Sequence, residues 1–207
     1  MKKRYLITVA AAAVCGVTGG IVATGVSAAP LPGAKSAKHC VVDVDTEAER
    51  CFEDYRKAME FASDGSITDA PRDARVAVKD PAFQAKVRAA AQRGSRRAGA
   101  LDGTAWKAAA ADEENKVIAA TLFTGPNYTG DSDTIRIPKP CAKDGKYDHG
   151  YVLGSVGRSA ESLQPWANCW IWLHEGDTFD SARQGPYKED TPDLGDWKNR
   201  AVLMGLS

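Results

Sequence analysis

The second half of this chain is built on a repeat, and the repeat limits the folds open to it. A strong apolar strand pattern at 117–123 runs into Thr124-Gly125-Pro126-Asn127-Tyr128. A second, Trp170-Ile171-Trp172-Leu173, leads through His174 into Glu175-Gly176-Asp177-Thr178-Phe179. Further on, Arg158-Ser159-Ala160 lines up with Asn199-Arg200-Ala201. Two copies of one supersecondary unit are the makeup of a paired Greek-key sandwich. Thr134-Ile135-Arg136-Ile137, Tyr151-Val152-Leu153 and residues 201–204 supply further short strands, with Gly, Pro, Asn and Asp between them. Short strands at this spacing predict an all-β sandwich or barrel.

The segment ahead of the repeat has a different period. Cys40-Val41-Val42-Asp43-Val44 alternates like a strand, and Thr46-Glu47-Ala48-Glu49 turns it back toward Cys51, which predicts a hairpin. Phe52, Tyr55, Met59 and Ala62 recur at helical spacing, with Gly65 as a stop signal. Asp80-Pro81 reads as an N-cap with proline in the first turn of a second helix. Phe83, Val87 and Ala90 make its apolar stripe and Gly94 is its expected end. The stretch 99–115, rich in Ala, Gly and charge around Trp106, reads as a linker. The expected division is a small α+β region at 40–94, a linker at 95–115 and a mainly β Greek-key domain at 116–207.

Residues 1–28 have the form of a secretory signal peptide. Lys2, Lys3 and Arg4 precede an uncharged apolar run, and Val26-Ser27-Ala28 offers the small residues that a signal peptidase reads. A retained membrane anchor is the competing expectation, weakened by Gly16, Gly19, Gly20 and Gly25 within the run. Cleavage before Ala29 leaves a flexible mature N-terminus at 29–39 and predicts a secreted, extracellular protein with no stable membrane insertion. It also removes three cations from a chain of formal charge zero, leaving −3. That balance carries no footprint for nucleic acid or for an anionic membrane.

Cleavage removes Cys15 and leaves Cys40, Cys51, Cys141 and Cys169. An even number of cysteines in an exported chain reads as a disulfide framework. Of the three pairings, the local one, Cys40–Cys51 with Cys141–Cys169, is the default. A four-cysteine zinc site is the alternative, and no Cys-x-x-Cys spacing supports it.

Phe123, six residues and then Gly130, within Leu-Phe-Thr-Gly-Pro-Asn-Tyr-Thr-Gly-Asp-Ser, resembles the folded-hairpin signature of βγ-crystallin-like domains. In such a hairpin the glycine supplies a positive φ and the aromatic ring covers it. Gly-Arg-Ser-Ala-Glu-Ser-Leu at 157–163 and Trp-Lys-Asn-Arg-Ala-Val-Leu at 197–203 are similar to the strands that close each Greek key, the first with its serine. The second copy departs from the pattern, with Ser181 in place of its glycine. The resemblance covers about residues 116–207 and implies a double Greek-key β-sandwich. It extends to small secreted bacterial proteins that include a metalloproteinase-inhibitor group, killer-toxin-like proteins and calcium-binding modules.

The family's calcium site uses paired Asn/Asp residues ahead of the closing Ser/Thr-Ser, because a hard cation needs several oxygens together. Here Gly157-Arg158 and Lys198-Asn199 stand at the paired positions, and Val202-Leu203 stand where hydroxyls belong. A positive side chain in each motif opposes a cation. The expectation is no cofactor and at most weak calcium, with Glu189, Asp190, Asp193 and Asp196 as a solvated acidic loop.

His39, His149 and His174 are isolated in sequence, and neither His-Glu-x-x-His nor Gly-x-Ser-x-Gly is present, so the sequence predicts no enzyme. His174 stands where the repeat places an aromatic, which predicts a packed ring. Trp166, Trp170, Trp172 and Trp197 read chiefly as core and hairpin packing, with a sugar-facing patch as the alternative. What remains is a binding protein whose rigid loops meet a partner, either a secreted protease or another protein. The loop containing Pro138, Lys139, Pro140, Cys141 and Lys143 is the candidate contact loop, because a cysteine anchors it and its counterpart in the second copy is shorter. The alternative is a structural or calcium-binding extracellular module with no protease target.

Overall fold

The computed structural model describes residues 37–100 and 116–207, with the side chains of the long helix described as far as residue 91. The expected signal peptide and the linker around Trp106 lie outside the described residues. Among the described residues nine strands form two sheets. β1 (His39–Asp43), β2 (Glu49–Phe52), β3 (Val117–Gly125), β4 (Thr129–Ile137) and β6 (Ser162–Pro165) make the first, in the order β2-β1-β4-β3-β6. β5 (His149–Val152), β7 (Ile171–His174), β8 (Arg183–Tyr187) and β9 (Leu203–Leu206) make the second, in the order β5-β9-β7-β8.

The two copies of the repeat exchange strands. β5 belongs to the first copy yet pairs with β9 of the second, with Gly150 opposite Gly205. In return, Thr191 of the second copy bridges Leu163 on β6 through two backbone hydrogen bonds of 2.9 and 3.0 Å. Each sheet therefore contains both copies, and the hydrophobic surface between the sheets buries Leu122, Ile135, Ile137 and Leu163 against Ile171, Leu173, Met204 and Leu206. This is a double Greek-key sandwich, as the repeat implies.

The N-terminal segment shares the first sheet. β1 lies parallel to β4, with Cys40 opposite Asp133, and β2 returns antiparallel beside it, with Cys40 opposite Cys51. The described residues from 37 onward accordingly cluster as one compact unit. Helices cover the outer face of this sheet: α1 (Tyr55–Ala62), α2 (Ala74–Lys79) and α3 (Pro81–Ala100). Tyr55 packs on Phe123 and Phe83, and Phe83 meets the edge of Trp166. A strand covered on both faces reads as a continuous apolar run, which accounts for Val-Ile-Ala-Ala-Thr-Leu-Phe in β3, where all seven are buried. Arg136 on the helix-facing side lies against the Phe61 ring and pairs with Asp64 at 2.7 Å.

Several local expectations hold and others change. Asp80 caps α3, its Oδ1 accepting from the Ala82 and Phe83 N–H groups at 2.9 and 3.2 Å. Gly65 closes the turn after α1 with φ +75°. Phe52 ends β2 instead of starting α1, whose cap is Asp54. α3 continues through Gly94 to Ala100, because good helix formers on either side outweigh the roughly 1 kcal/mol that an interior glycine costs. α2 and β8 are additions. β8 lacked a strand signal because Gly185-Pro186 interrupts it, which an edge strand tolerates. A short helix, α4 (Ser155–Arg158), links β5 to β6. Among the described residues no helix is long and apolar enough to cross a membrane.

Candidate functional site

The folded hairpin of the first copy is complete. Gly130 adopts φ +78°, and a Cβ there would lie 2.4 Å from Thr124 Oγ1, so only glycine fits. Phe123 is fully buried and meets Tyr128 edge-on, with ring centroids 5.7 Å apart. Ser162 on β6 ties the hairpin down: its Oγ accepts from Tyr128 N–H at 3.0 Å and donates to Gly125 O at 2.7 Å.

The second copy reaches a similar arrangement with other residues. His174 takes the place of Phe123 and Phe179 that of Tyr128, edge-on at 5.4 Å. Leu203 stands where the closing serine would be, and Ser181 does that work locally: its Oγ accepts from Gly176 N–H at 3.2 Å and donates to Thr178 O at 2.7 Å. The predicted packed ring at His174 is thus found. Tyr147 stacks on Phe179 at 4.5 Å, and its hydroxyl meets His174 Nε2 at 2.9 Å. The facing glycines make room for these rings, since a Cβ on Gly150 would strike Phe179 and one on Gly205 would strike Tyr147.

Both expected disulfides are formed, Cys40–Cys51 and Cys141–Cys169. The second anchors the candidate contact loop to the turn after β6. Lys139 and residues 142–146 are exposed while Cys141 is buried, so the loop stands off a fixed point. Ala142 N–H donates to Asp148 at 2.8 Å and Lys139 O meets His149 Nε2 at 3.2 Å, which hold the two sides. Pro138 and Pro140 stiffen the approach to the cysteine. Lys143, within the exposed tip, adopts φ +58°.

There the loop borders a cleft of about 410 Å³. Arg88 of α3, Lys143 and Lys188 reach it from three parts of the chain, and Glu189, Asp190, Trp166 and the Ala167-Asn168 turn also line it. No sequence motif announced it, because its three cations are 45 to 100 positions apart in the chain.

The positions that matter to calcium hold cations of their own. Lys198 Nζ lies 2.9 Å from Asp193 and 3.8 Å from Glu161, and Arg200 pairs with Glu175. Arg158 donates to Leu153 O at 2.8 Å. Asp193, Asp190 and Asp196 of the acidic loop are turned to separate tasks: Asp193 to Lys198 and Gly195 N–H, Asp190 to Gln84, and the Asp196 carbonyl to Arg200. Among the described residues the one tight group of potential ligand atoms is Cys40, Glu49 and Cys51. Its two sulfurs form a disulfide and offer no thiolate.

The three histidines do not converge. His39 Nδ1 meets Ser132 Oγ at 2.9 Å, a pairing of the nucleophile-and-base type, but Ser132 is fully buried and beyond the reach of a substrate. Burial holds His39, His149 and His174 below the ordinary imidazole range. The tryptophans divide by place. Trp166 is buried and donates to Thr121 Oγ1 at 3.2 Å. Trp170 and Trp172 lie under Lys188 and Arg183, at 3.8 and 4.4 Å, and Trp197 under Arg200.

No protein-family model matches the chain, and no curated protein matches it. Solved structures that are similar to it include a βγ-crystallin domain from Clostridium beijerinckii, 21% identical over 42% of this chain and 95% of that one, with a TM-score of 0.32. Another, from Flavobacterium johnsoniae, is 21% identical over 43% and 93%, also with a TM-score of 0.32. The N-terminal domain of protein S is 15% identical over 43% and 94%, with a TM-score of 0.34. Likeness at this level stands beside the topology and adds nothing to it. The exchanged β5 strand, the Phe123–Gly130 hairpin and its Ser162 tie make residues 117–207 a βγ-crystallin-like double Greek-key domain.

Proposed function

We propose that this chain is a secreted, disulfide-stabilised binding protein, a peptidase-inhibitor-like module that acts on a secreted protease through the 138–145 loop. The observation that carries the reading is the tethering of that loop. Its tip is exposed, Cys141 is bonded to Cys169, and hydrogen bonds from Ala142 and to Lys139 secure its sides. A loop already held in one form loses little entropy when a partner binds it, which is what tight inhibition requires. The two disulfides suit an oxidising compartment.

Inhibition assays of the oxidised protein against a panel of secreted metallo- and serine proteases test this. At least one protease should be inhibited, and Lys139→Ala with Lys143→Ala should weaken the effect. A panel with no inhibition would sink the protease target. A second reading, a structural extracellular module, draws support from Lys143, whose φ of +58° turns the loop away from the extended form that protease clefts accept.

A further inference from the structure

The cleft beside the contact loop contains opposite charges that have not paired with each other. Gln84 explains how. Its side chain is about nine-tenths buried, and its amide is fixed at both ends: Oε1 accepts from Arg88 Nη2 at 3.0 Å, while Nε2 donates to Val78 O and to Asp190 Oδ2, the latter at 3.3 Å. Only one orientation of the amide satisfies all three neighbours. Arg88 and Asp190 are therefore held at opposite ends of a buried amide and do not collapse into an ion pair. Lys143 and Lys188 join Arg88 around the same cleft, and among the described residues none of the three has a carboxylate within ion-pairing distance. Lys188 is steadied over the Trp170 ring at 3.8 Å.

Three cations from remote parts of the chain meet two carboxylates around this cleft. The cationic side chains are exposed, so they cost little stability, but they raise the local potential of a concave site and draw anions to it. Glu189 and Asp190 also line the cleft, and their carboxylates are acceptors for N–H groups, so a bare anion does not use the whole cleft. We infer that this cleft is a receptor for an acidic peptide segment, binding Asp or Glu carboxylates of a partner protein at Arg88, Lys143 and Lys188 and its backbone N–H groups at Glu189 and Asp190. The inference deepens the proposed function and rests on the reading that the chain binds a protein next to the 138–145 loop. It names the chemistry of the partner surface there.

The test uses the disulfide-intact chain and a fluorescein-labelled hexaglutamate peptide, read by fluorescence anisotropy, with hexalysine and sodium sulfate as comparison probes. Hexaglutamate should bind saturably and hexalysine should not. Arg88→Gln, Lys143→Gln and Lys188→Gln should each weaken binding about tenfold, the worth of one charge-assisted hydrogen bond. Lys57→Gln and Arg183→Gln, exposed cations outside both the cleft and the contact loop, should leave it within about twofold. Gln84→Met should weaken binding as much as Arg88→Gln, while melting curves check that the fold is kept. Absence of saturable binding overturns the inference, and so does equal loss in the two control variants. Displacement by sulfate at equal charge concentration would mark a free-anion site and also overturn it. Hexaglutamate binding without inhibition of any protease would leave the cleft standing and remove the protease reading. Inhibition that survives all three glutamine substitutions, with no peptide binding, would do the reverse.

Discussion

The Asp133 carboxylate lies between the two sheets and accepts a single hydrogen bond, from Gly157 N–H at 3.1 Å, while its other oxygen has no partner. It stands on β4 directly opposite Cys40, 3% exposed. Burial pushes its pKa up to about 7, with Glu49 adding to the effect and the Gly157 hydrogen bond opposing it.

A pH dependence of stability follows. A carboxyl whose pKa is higher in the folded state binds its proton more tightly there. Its contribution is greatest below about pH 4 and falls as pH rises toward 7, by roughly 1.4 kcal/mol for each unit of difference. The buried His39 and His174 and the half-buried His149 act in the opposite sense, since a lowered imidazole pKa costs stability as pH falls below about 6.5. The Asp133 part is isolated by comparison with Asp133→Asn, which keeps an acceptor for Gly157. Urea unfolding at pH 5 and pH 8 should show the variant gaining on the parent by a few kcal/mol at the higher pH. Parallel pH profiles for the two proteins would contradict this.

The hairpin tie is a second target. Ser162→Ala removes the acceptor of the buried Tyr128 N–H and the donor to the half-buried Gly125 O, leaving both backbone groups without that partner. A loss of about 2–4 kcal/mol is expected by denaturant unfolding. Ser181→Ala, at the more exposed counterpart, should cost under about 1 kcal/mol. Similar losses at the two serines would show that the copies are closed in the same way.

Mapping of peptides from the non-reduced protein should give Cys40 joined to Cys51 and Cys141 joined to Cys169. Replacing the second pair by alanine opens a loop of 28 residues and should cost about 2–4 kcal/mol. On the proposed protease reading, inhibition should fall further than the unfolded fraction explains, because the tip of the loop loses its anchor.

Calcium should do little. Lys198 already lies between Asp193 and Glu161, and Arg200 already meets Glu175. A micromolar site would add roughly 4 kcal/mol at millimolar calcium, whereas a millimolar site adds under about 1 kcal/mol. Melting temperatures with millimolar calcium and with chelator should agree within about 2 °C. A large rise that Asn199→Ala abolishes would show that these cations yield their places.

Features set by near neighbours were legible from the chain. The Asp80 cap, the Gly65 stop, the Phe123–Gly130 hairpin and the two local disulfides each depend on residues close in sequence, where propensity and loop-closure entropy act directly. Strand periodicity likewise exposed β3, β4 and β7. It did not show that β1 would align in parallel with β4, with His39 opposite Ser132, because an alternating strand bears no label for its partner. Nor did it show that helices cover the far face of the first sheet, although the unbroken apolar run of β3 is the mark that burial left there. The cleft was the least legible feature. Arg88, Lys143 and Lys188 look like ordinary solvated cations in sequence, and only packing α3 and the anchored loop beside the end of β8 turns them to one place. Long-range pairing energies decide that arrangement, and no local pattern encodes them.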